Sequence, residues 1–326
     1  MEFRTKIQPL RDQGEISHHD RILLIGSCFS DNVGKRLADR LFNVMANPFG
    51  ALYNPASICT ILQRISEGGE FTADELVCHS GLYHSFLCHS SLSSTSSEKT
   101  LLKLNSRLAE TRTFLSSATV AIITLGTAYV YALASDNRIV GNCHRFPQSI
   151  FTRRRLTVDE TAVFLETIHD LLRRINPEIR IIFTVSPIRH LADGFHENQL
   201  SKSTLLLAID RICCDSSRQT VYFPAYEALL DDLRDYRFYS PDMKHPSDVA
   251  ADYIFNLFAE SFFSPTTIVL ADQCRRLTSR AAHLQMTDND SSFSEFQQKT
   301  RIMARDLART NPELSQPIAN FFSIEL

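Results

Sequence analysis

The chain of 326 residues has no tryptophan, no large excess of one charge and no apolar stretch that approaches a membrane span. The missing tryptophan decides nothing by itself. A net charge of −3 gives no reason to expect nucleic acid or an anionic membrane surface as a partner. A bilayer-crossing helix needs ~20 mostly apolar residues in a row, so no membrane-spanning helix is expected. Met1-Glu2-Phe3-Arg4 opens no apolar run, so no secretory signal is expected either. The eight cysteines follow no regular framework, and Cys213 and Cys214 are sequence neighbours that make a poor pair. Free thiols in a reducing cytoplasm are the expectation. With 44% hydrophobic residues, a chain of this length can bury one large core.

What is present begins with Ile22-Leu23-Leu24-Ile25-Gly26-Ser27-Cys28-Phe29-Ser30. Four consecutive aliphatics suit a strand buried on both faces. Gly26 allows a sharp turn or a close backbone approach. Asp31 to Arg40 then reads as a helix, with Val33, Leu37 and Leu41 on one face. A strand, tight turn and helix lift a side chain to the carboxyl edge of a parallel sheet, where ligands bind and the helix's first N–H groups are free to hold an anion. More than two hundred residues later, Asp242-Met243-Lys244-His245 sets an acid and an imidazole one turn apart, with Ser247 as an N-cap for the next helix. Nucleophilic catalysis needs both halves, an attacking group and an oriented base.

Several segments, in this order, resemble the GSCFA-domain family. They are Gly26 to Ser30, Asn47-Pro48-Phe49-Gly50-Ala51-Leu52-Tyr53-Asn54-Pro55, Leu125-Gly126-Thr127-Ala128-Tyr129-Val130-Tyr131 and Asn142-Cys143-His144. Then come Ser186-Pro187-Ile188-Arg189-His190, Ser201-Lys202, and the stretch from Leu233 through Asp242 to Ser247. The resemblance covers residues 1–265. The family is similar to the SGNH (GDSL-type) hydrolase superfamily, which implies an esterase-like or acyl-transfer site needing no metal or organic cofactor. Matched residue by residue, Gly26 takes the glycine of the superfamily's first block, Ser27 its aspartate and Cys28 its nucleophilic serine. Asp242 and His245 complete the last block. The third block, Gly-x-Asn-Asp, is met only at Gly126, and Ala128 stands where the oxyanion-hole asparagine would be. The hole is therefore expected from backbone N–H groups at Cys28, Gly50 and Gly126, aided by Thr127 or Asn142.

Cys28 is the favoured nucleophile and Ser27 its competitor. A thiol is intrinsically nucleophilic, and a helix N-terminus beside an imidazolium is expected to lower its pKa. His144, Arg189 and His190 are candidate substrate contacts. Arg237, in the cluster with Arg234 and Asp235, is either part of a solvated face or the holder of an anionic substrate group. Cys78, His79, His84, Cys88 and His89 lack paired C-x-x-C spacing and sit in a Ser-rich region. They read as a loop over the site or as surface residues rather than a zinc site.

Strands at 119–125, 180–185 and 220–223, with one at Leu41 to Met45, alternate with helices at 157–174, 204–213 and 249–262. That pattern predicts a three-layer α/β/α sandwich with a mainly parallel sheet of flavodoxin-like topology, carrying insertions. Residues 1–265 form the catalytic domain, and the polar segment 64–116 reads as an insertion or lid, partly mobile. Residues 266–326, with a polar stretch Thr287 to Ser292, form a C-terminal helical extension. It would pack on the domain or on a second copy, which makes a homo-oligomer one outcome. The expected partner is a small-molecule or glycan ester. Two other readings stay open: a ligand-binding protein that has lost turnover, and a redox-sensing or structural thiol at Cys28.

Overall fold

Short strands whose residues are apolar on both sides must be covered on both faces, and helices joined to them in alternation supply the cover. The computed structural model describes residues 4–282 and 290–323. β1 (Arg21–Gly26) leads into α1 (Cys28–Ala38), β2 (Asn43–Ala46) and α2 (Pro55–Glu67). A hairpin of β3 (Leu76–His79) and β4 (Leu82–Ser85) precedes α3 (Ser97–Leu115) and β5 (Val120–Leu125). Next come β6 (Tyr129–Leu133), β7 (Ile139–Val140) and β8 (Phe151–Arg155), then α4 (Val158–Ile175), β9 (Arg180–Val185), α5 (Gly194–Cys213) and β10 (Thr220–Phe223). A single turn, α6 (Ala225–Glu227), runs into a π-helical segment, Ala228–Leu233. α7 (Asp248–Phe262), α8 (Pro265–Ala281), α9 (Asp290–Thr310) and α10 (Ser315–Phe322) follow.

The main sheet has the order β10-β9-β5-β1-β2, and every pairing in it is parallel. Alternate residues of a strand face opposite layers. Leu23, Ile25, Ala121, Ile123, Ile181 and Phe183 pack under α2, α3, α4 and α5. Ile22, Leu24, Val120, Ile122 and Ile182 pack under α1 and α7. This is a three-layer α/β/α sandwich with the doubly wound, flavodoxin-like strand order. The order reverses between β1 and β5, and ligands of such sheets bind in the crevice at that point.

Besides the unforeseen small sheet β7-β6-β8, the elements depart from the sequence expectation in four places. First, α1 begins at Cys28, three residues before Asp31, because the Ser27 hydroxyl caps it. Second, β2 starts at Asn43 rather than Leu41. Leu41 has φ +61° and buries its side chain against Cys274, Leu277 and Ile318, so that turn seats α8 and α10 on the domain. Third, the segment 64–116 is built of regular elements. α3 is the crossover helix into β5, and its Leu104, Leu108 and Leu115 are core residues. Its apolar residues are thinly spaced among polar ones, which hid the helix. Fourth, α5 starts at Gly194, ten residues before the expected Thr204. Of the stretch Thr287–Ser292, residues 287–289 lie outside the described residues, as do Met1 to Phe3.

Gly26 ends β1 with φ +150°, and a Cβ there would lie 2.1 Å from the Thr124 carbonyl oxygen. That oxygen belongs to the neighbouring strand and cannot give way. Gly26→Ala is therefore expected to destabilise the fold by about 3 kcal/mol or more. Urea unfolding of the variant beside the wild type measures it.

Candidate active site

The site grows from the turn between β1 and α1. The buried Asn47 side chain closes this turn: its Oδ1 accepts from Gly26 N–H at 2.9 Å and its Nδ2 donates to Ser27 O at 3.2 Å. Ser27 is 1% exposed, and its Oγ accepts from Phe29 N–H at 3.2 Å as the helix cap. The hydroxyl of Ser27 is thus the helix cap, and Ser27 does not line the cleft. Cys28, the first residue of α1, is half-buried in the cleft. Its Sγ lies 3.9 Å from His245 Nε2.

His245 Nδ1 lies 2.5 Å from Asp242 Oδ2. The other carboxylate oxygen, Oδ1, accepts from Lys244 N–H at 2.9 Å and His245 N–H at 3.0 Å. The hydrogen bond from the His245 ring, then these two N–H groups, hold the Asp242 carboxyl well below the usual carboxylate range. An ionised Asp242 can only accept, so the Nδ1 of His245 carries the proton and a neutral ring turns the lone pair of Nε2 toward the sulfur. Ser247 caps α7 by accepting from Ala250 N–H at 3.3 Å. Arg189 braces the loop ahead of it: its guanidinium donates to Met243 O at 2.7 Å and lies 4.1 Å over the Tyr239 ring.

The Cys28 thiol departs from expectation. Burial pushes its pKa up, and the nearby Asp31 carboxylate adds to that rise. The N–H groups of Cys28 and Phe29 and the charge of Lys202 pull the other way without prevailing. The expected lowering fails because the helix N-terminus acts on a group largely removed from water. Burial, then Cys28 and Asp31, also raise the Tyr53 phenol.

Three of the expected oxyanion donors are already engaged. Gly50 N–H donates to Asn47 O at 2.8 Å, while Gly126 and Thr127 N–H both donate to Tyr53 O, at 2.7 and 3.0 Å. Gly50 owes its glycine to its φ of +78° and to His89, whose Cβ lies where a side chain would go. The Cys28 N–H remains available, as the first in a helix has no partner within it. Two side-chain amides join it at the cleft. Asn142 accepts from His144 N–H through Oδ1 at 2.9 Å, and Asn54 caps α2 by accepting from Ser57 N–H at 2.8 Å. The Nδ2 of each makes no hydrogen bond among the described residues, and both residues line the cleft. Asn54 had a readable signal, an N-cap before a proline at the first helical position, but its spare amide could be found only in three dimensions.

The cleft has a volume of about 520 Å³. Arg153, Tyr129 and Tyr131 form its far wall, with the Arg153 guanidinium 3.9 Å over the Tyr129 ring and paired to Asp193 through two contacts of 2.5 and 2.6 Å. His190 lines the cleft edge-on to Tyr53, ring centroids 5.8 Å apart. Burial, then the charges of Lys202 and His245, lower its pKa to about 4, so it is neutral. His144 is not in the cleft. It is stacked on His84, its Nε2 is 2.8 Å from Ser85 O, and burial first lowers its pKa to about 4. It serves the site only through the backbone N–H that fixes Asn142. Arg237 is solvent-exposed beside Asp235 and Phe238, away from the cleft, so its solvated-face reading is the one the geometry matches. Among the described residues, no group of three His, Cys, Asp or Glu side chains is placed to hold a metal ion.

No curated protein matches the chain. Among solved structures, a carbohydrate esterase family 3 protein from Talaromyces cellulolyticus superposes with a TM-score of 0.38 at 10% identity, covering 78% of this chain and 98% of that one. An acetyl esterase variant crystallised with acetate gives the same four values. A sequence model of the GSCFA family matches residues 21–258, and the chain belongs to the GSCFA family.

Proposed function

We propose that this protein is an ester hydrolase or acyltransferase of SGNH type whose nucleophile is the Cys28 thiol. One observation carries the reading: Cys28 Sγ faces His245 Nε2 at 3.9 Å, with Asp242 on the far side of the imidazole, at the switch point of the sheet. A thiol kept protonated by burial needs a base at the moment of attack, and His245 is that base. As sulfur bonds to the ester carbonyl carbon, its proton passes to Nε2, and the ionised Asp242 stabilises the imidazolium. The carbonyl oxygen becomes an oxyanion that accepts from Cys28 N–H and from the Asn142 and Asn54 amides. His245 returns the proton to the leaving alkoxide as the carbon–oxygen bond breaks, which leaves an S-acyl enzyme. Water, or the hydroxyl of an acceptor, then attacks the acyl carbon as His245 takes its proton; the carbon–sulfur bond breaks, and the imidazolium returns the proton to the Cys28 sulfur.

The cleft suits an ester of a small molecule or glycan. Its far wall is aromatic, and its Arg153 charge is already balanced by Asp193. No helix among the described residues is long and apolar enough to cross a membrane. The alternative, a ligand-binding protein without turnover, draws support from the engaged N–H groups of Gly50, Gly126 and Thr127.

Hydrolysis of para-nitrophenyl acetate tests the proposal. His245→Ala and Asp242→Asn are each expected to lower kcat/KM by ~10²–10⁴-fold; equal rates in wild type and variants would favour the binding protein. Asn142→Ala is expected to lower kcat by ~10²-fold at an unchanged unfolding midpoint, and an unchanged rate would remove its amide from the hole. The pH dependence of Cys28 alkylation by iodoacetamide gives a third check. Because burial and Asp31 raise the thiol pKa, the thiolate is scarce at neutral pH, and the rate should climb through a midpoint above that of an ordinary cysteine. A midpoint in the acidic range would mean a preformed thiolate–imidazolium pair.

A further inference from the structure

Tyr53 is a half-buried phenol in the cleft that no step of the proposed reaction uses. Its place is fixed from the ends of three strands. Leu52 N–H donates to Gly26 O at 2.8 Å, which ties this segment to the end of β1, two residues ahead of Cys28. Gly126 and Thr127, which follow β5, both give their N–H groups to Tyr53 O. The ring rests on Gly126, where a Cβ would lie 3.2 Å from Tyr53 Cδ1 and 3.2 Å from Tyr53 O. His190, from the segment after β9, meets the ring edge-on. Cys28, Asn54, Asn142 and His245 line the same cleft. Gly126 and Thr127 are thus the seat of Tyr53, and their N–H groups are closed to an oxyanion while they hold its carbonyl. Ala128 has no side-chain donor to offer in their place. Two other cleft hydroxyls are engaged, Thr127 with Ser201 Oγ at 3.0 Å and Tyr129 with Glu197 at 2.6 Å, and Tyr131 stands on the far wall. The Tyr53 phenol keeps its proton, since burial first and then Cys28 and Asp31 raise its pKa. A protonated phenol is a hydrogen-bond donor.

We propose that Tyr53 is a further catalytic residue, whose phenolic hydroxyl donates to the oxyanion formed when Cys28 attacks and whose backbone carbonyl is held by Gly126 and Thr127. This inference rests on the reading of Cys28 as the attacking atom. As sulfur bonds to the carbonyl carbon, the second electron pair of the C=O bond moves onto oxygen and the thiol proton passes to His245. The oxygen, now negative, accepts from Tyr53 Oη–H alongside the Cys28 N–H. Tyr53 gives up no proton in this step. When the C=O bond re-forms and the alkoxide leaves with the proton from His245, the phenol is released unchanged.

The test compares the full chain with Tyr53→Phe, which keeps the ring against Gly126 and removes only the hydroxyl. The probe is 1,1,1-trifluoroacetone, whose carbonyl carbon takes a thiol without losing a group and leaves an oxygen in the place of the oxyanion. Binding is followed by fluorine NMR. The variant is expected to bind the ketone ~10²-fold more weakly at an unchanged unfolding midpoint, while Cys28 alkylation by iodoacetamide, which develops no oxyanion, keeps its rate. Turnover of para-nitrophenyl acetate should lose a similar factor in kcat with KM little changed. Equal ketone affinity in the two proteins would overturn the inference and leave Cys28 in its role. A matching loss in the alkylation rate would overturn it too, because the phenol would then act on the sulfur. Failure of the wild type to form the adduct on Cys28 would sink the reading of the nucleophile, and this inference with it. Should Tyr53→Phe not fold, the carbon-13 resonance of Tyr53 Cζ is followed in the wild type. It is expected to move as the ketone adds, and an unmoved resonance contradicts the proposal.

Discussion

The backbone of Gly26 runs against the Thr124 carbonyl with no room for a Cβ, and the site is placed from that contact. Because β1 and β5 come so close, the chain leaving β1 must turn at once. Asn47 secures the turn from both sides, holding Gly26 N–H and Ser27 O. The first helical N–H groups and the thiol then emerge at the one point where the strand order reverses. The two-sided burial of β1, β5 and β9 makes this edge rigid, and the rest of the site is delivered to it by loops. The segment before α2 brings Asn54, and the segment before α7 brings Asp242 and His245. Arg189 keeps that last segment from drifting by holding Met243 O.

The chemistry depends on a contest between burial and charge at Cys28. A helix N-terminus favours the thiolate, while loss of water and Asp31 oppose it. Burial wins, so the resting thiol is neutral, and in the proposed reaction a base must take its proton. A neutral thiol is also less open to oxidation than a free thiolate, which weighs against a redox-sensing role for Cys28. The Asp242–His245 pair has less purpose in a pure binder, since an imidazole held in one tautomer and aimed at a sulfur is an arrangement for moving a proton.

Much of this was legible in the chain. β5 and β9 are six-residue segments rich in β-branched residues that end at Gly126 and Ser186, and no helix reading competes with them at that length. The pairing of Cys28 with Asp242 and His245 could be read from motif order and residue type, although Cys28 and His245 stand 217 positions apart in the chain. The oxyanion donors were not legible. Gly50, Gly126 and Thr127 have the right residue types, but their N–H groups are taken by Asn47 O and Tyr53 O, and no local pattern reveals which carbonyl a loop will present. His144 looked like a ligand contact because it sits beside Asn142, yet its φ of +46° turns it under His84. The strand β8 was not anticipated, because three consecutive arginines give no apolar alternation, and only in the fold do Tyr129 and Tyr131 lie beside Arg153.

The central claim is that the Cys28 sulfur attacks an ester carbonyl with His245 as base. The most direct test is intact mass and peptide mapping of the protein after brief exposure to an activated ester, beside His245→Ala. The account predicts an acyl group on Cys28 in the wild type and none in the variant. An acyl group on Ser27, or equal labelling of Cys28 with and without His245, would contradict it.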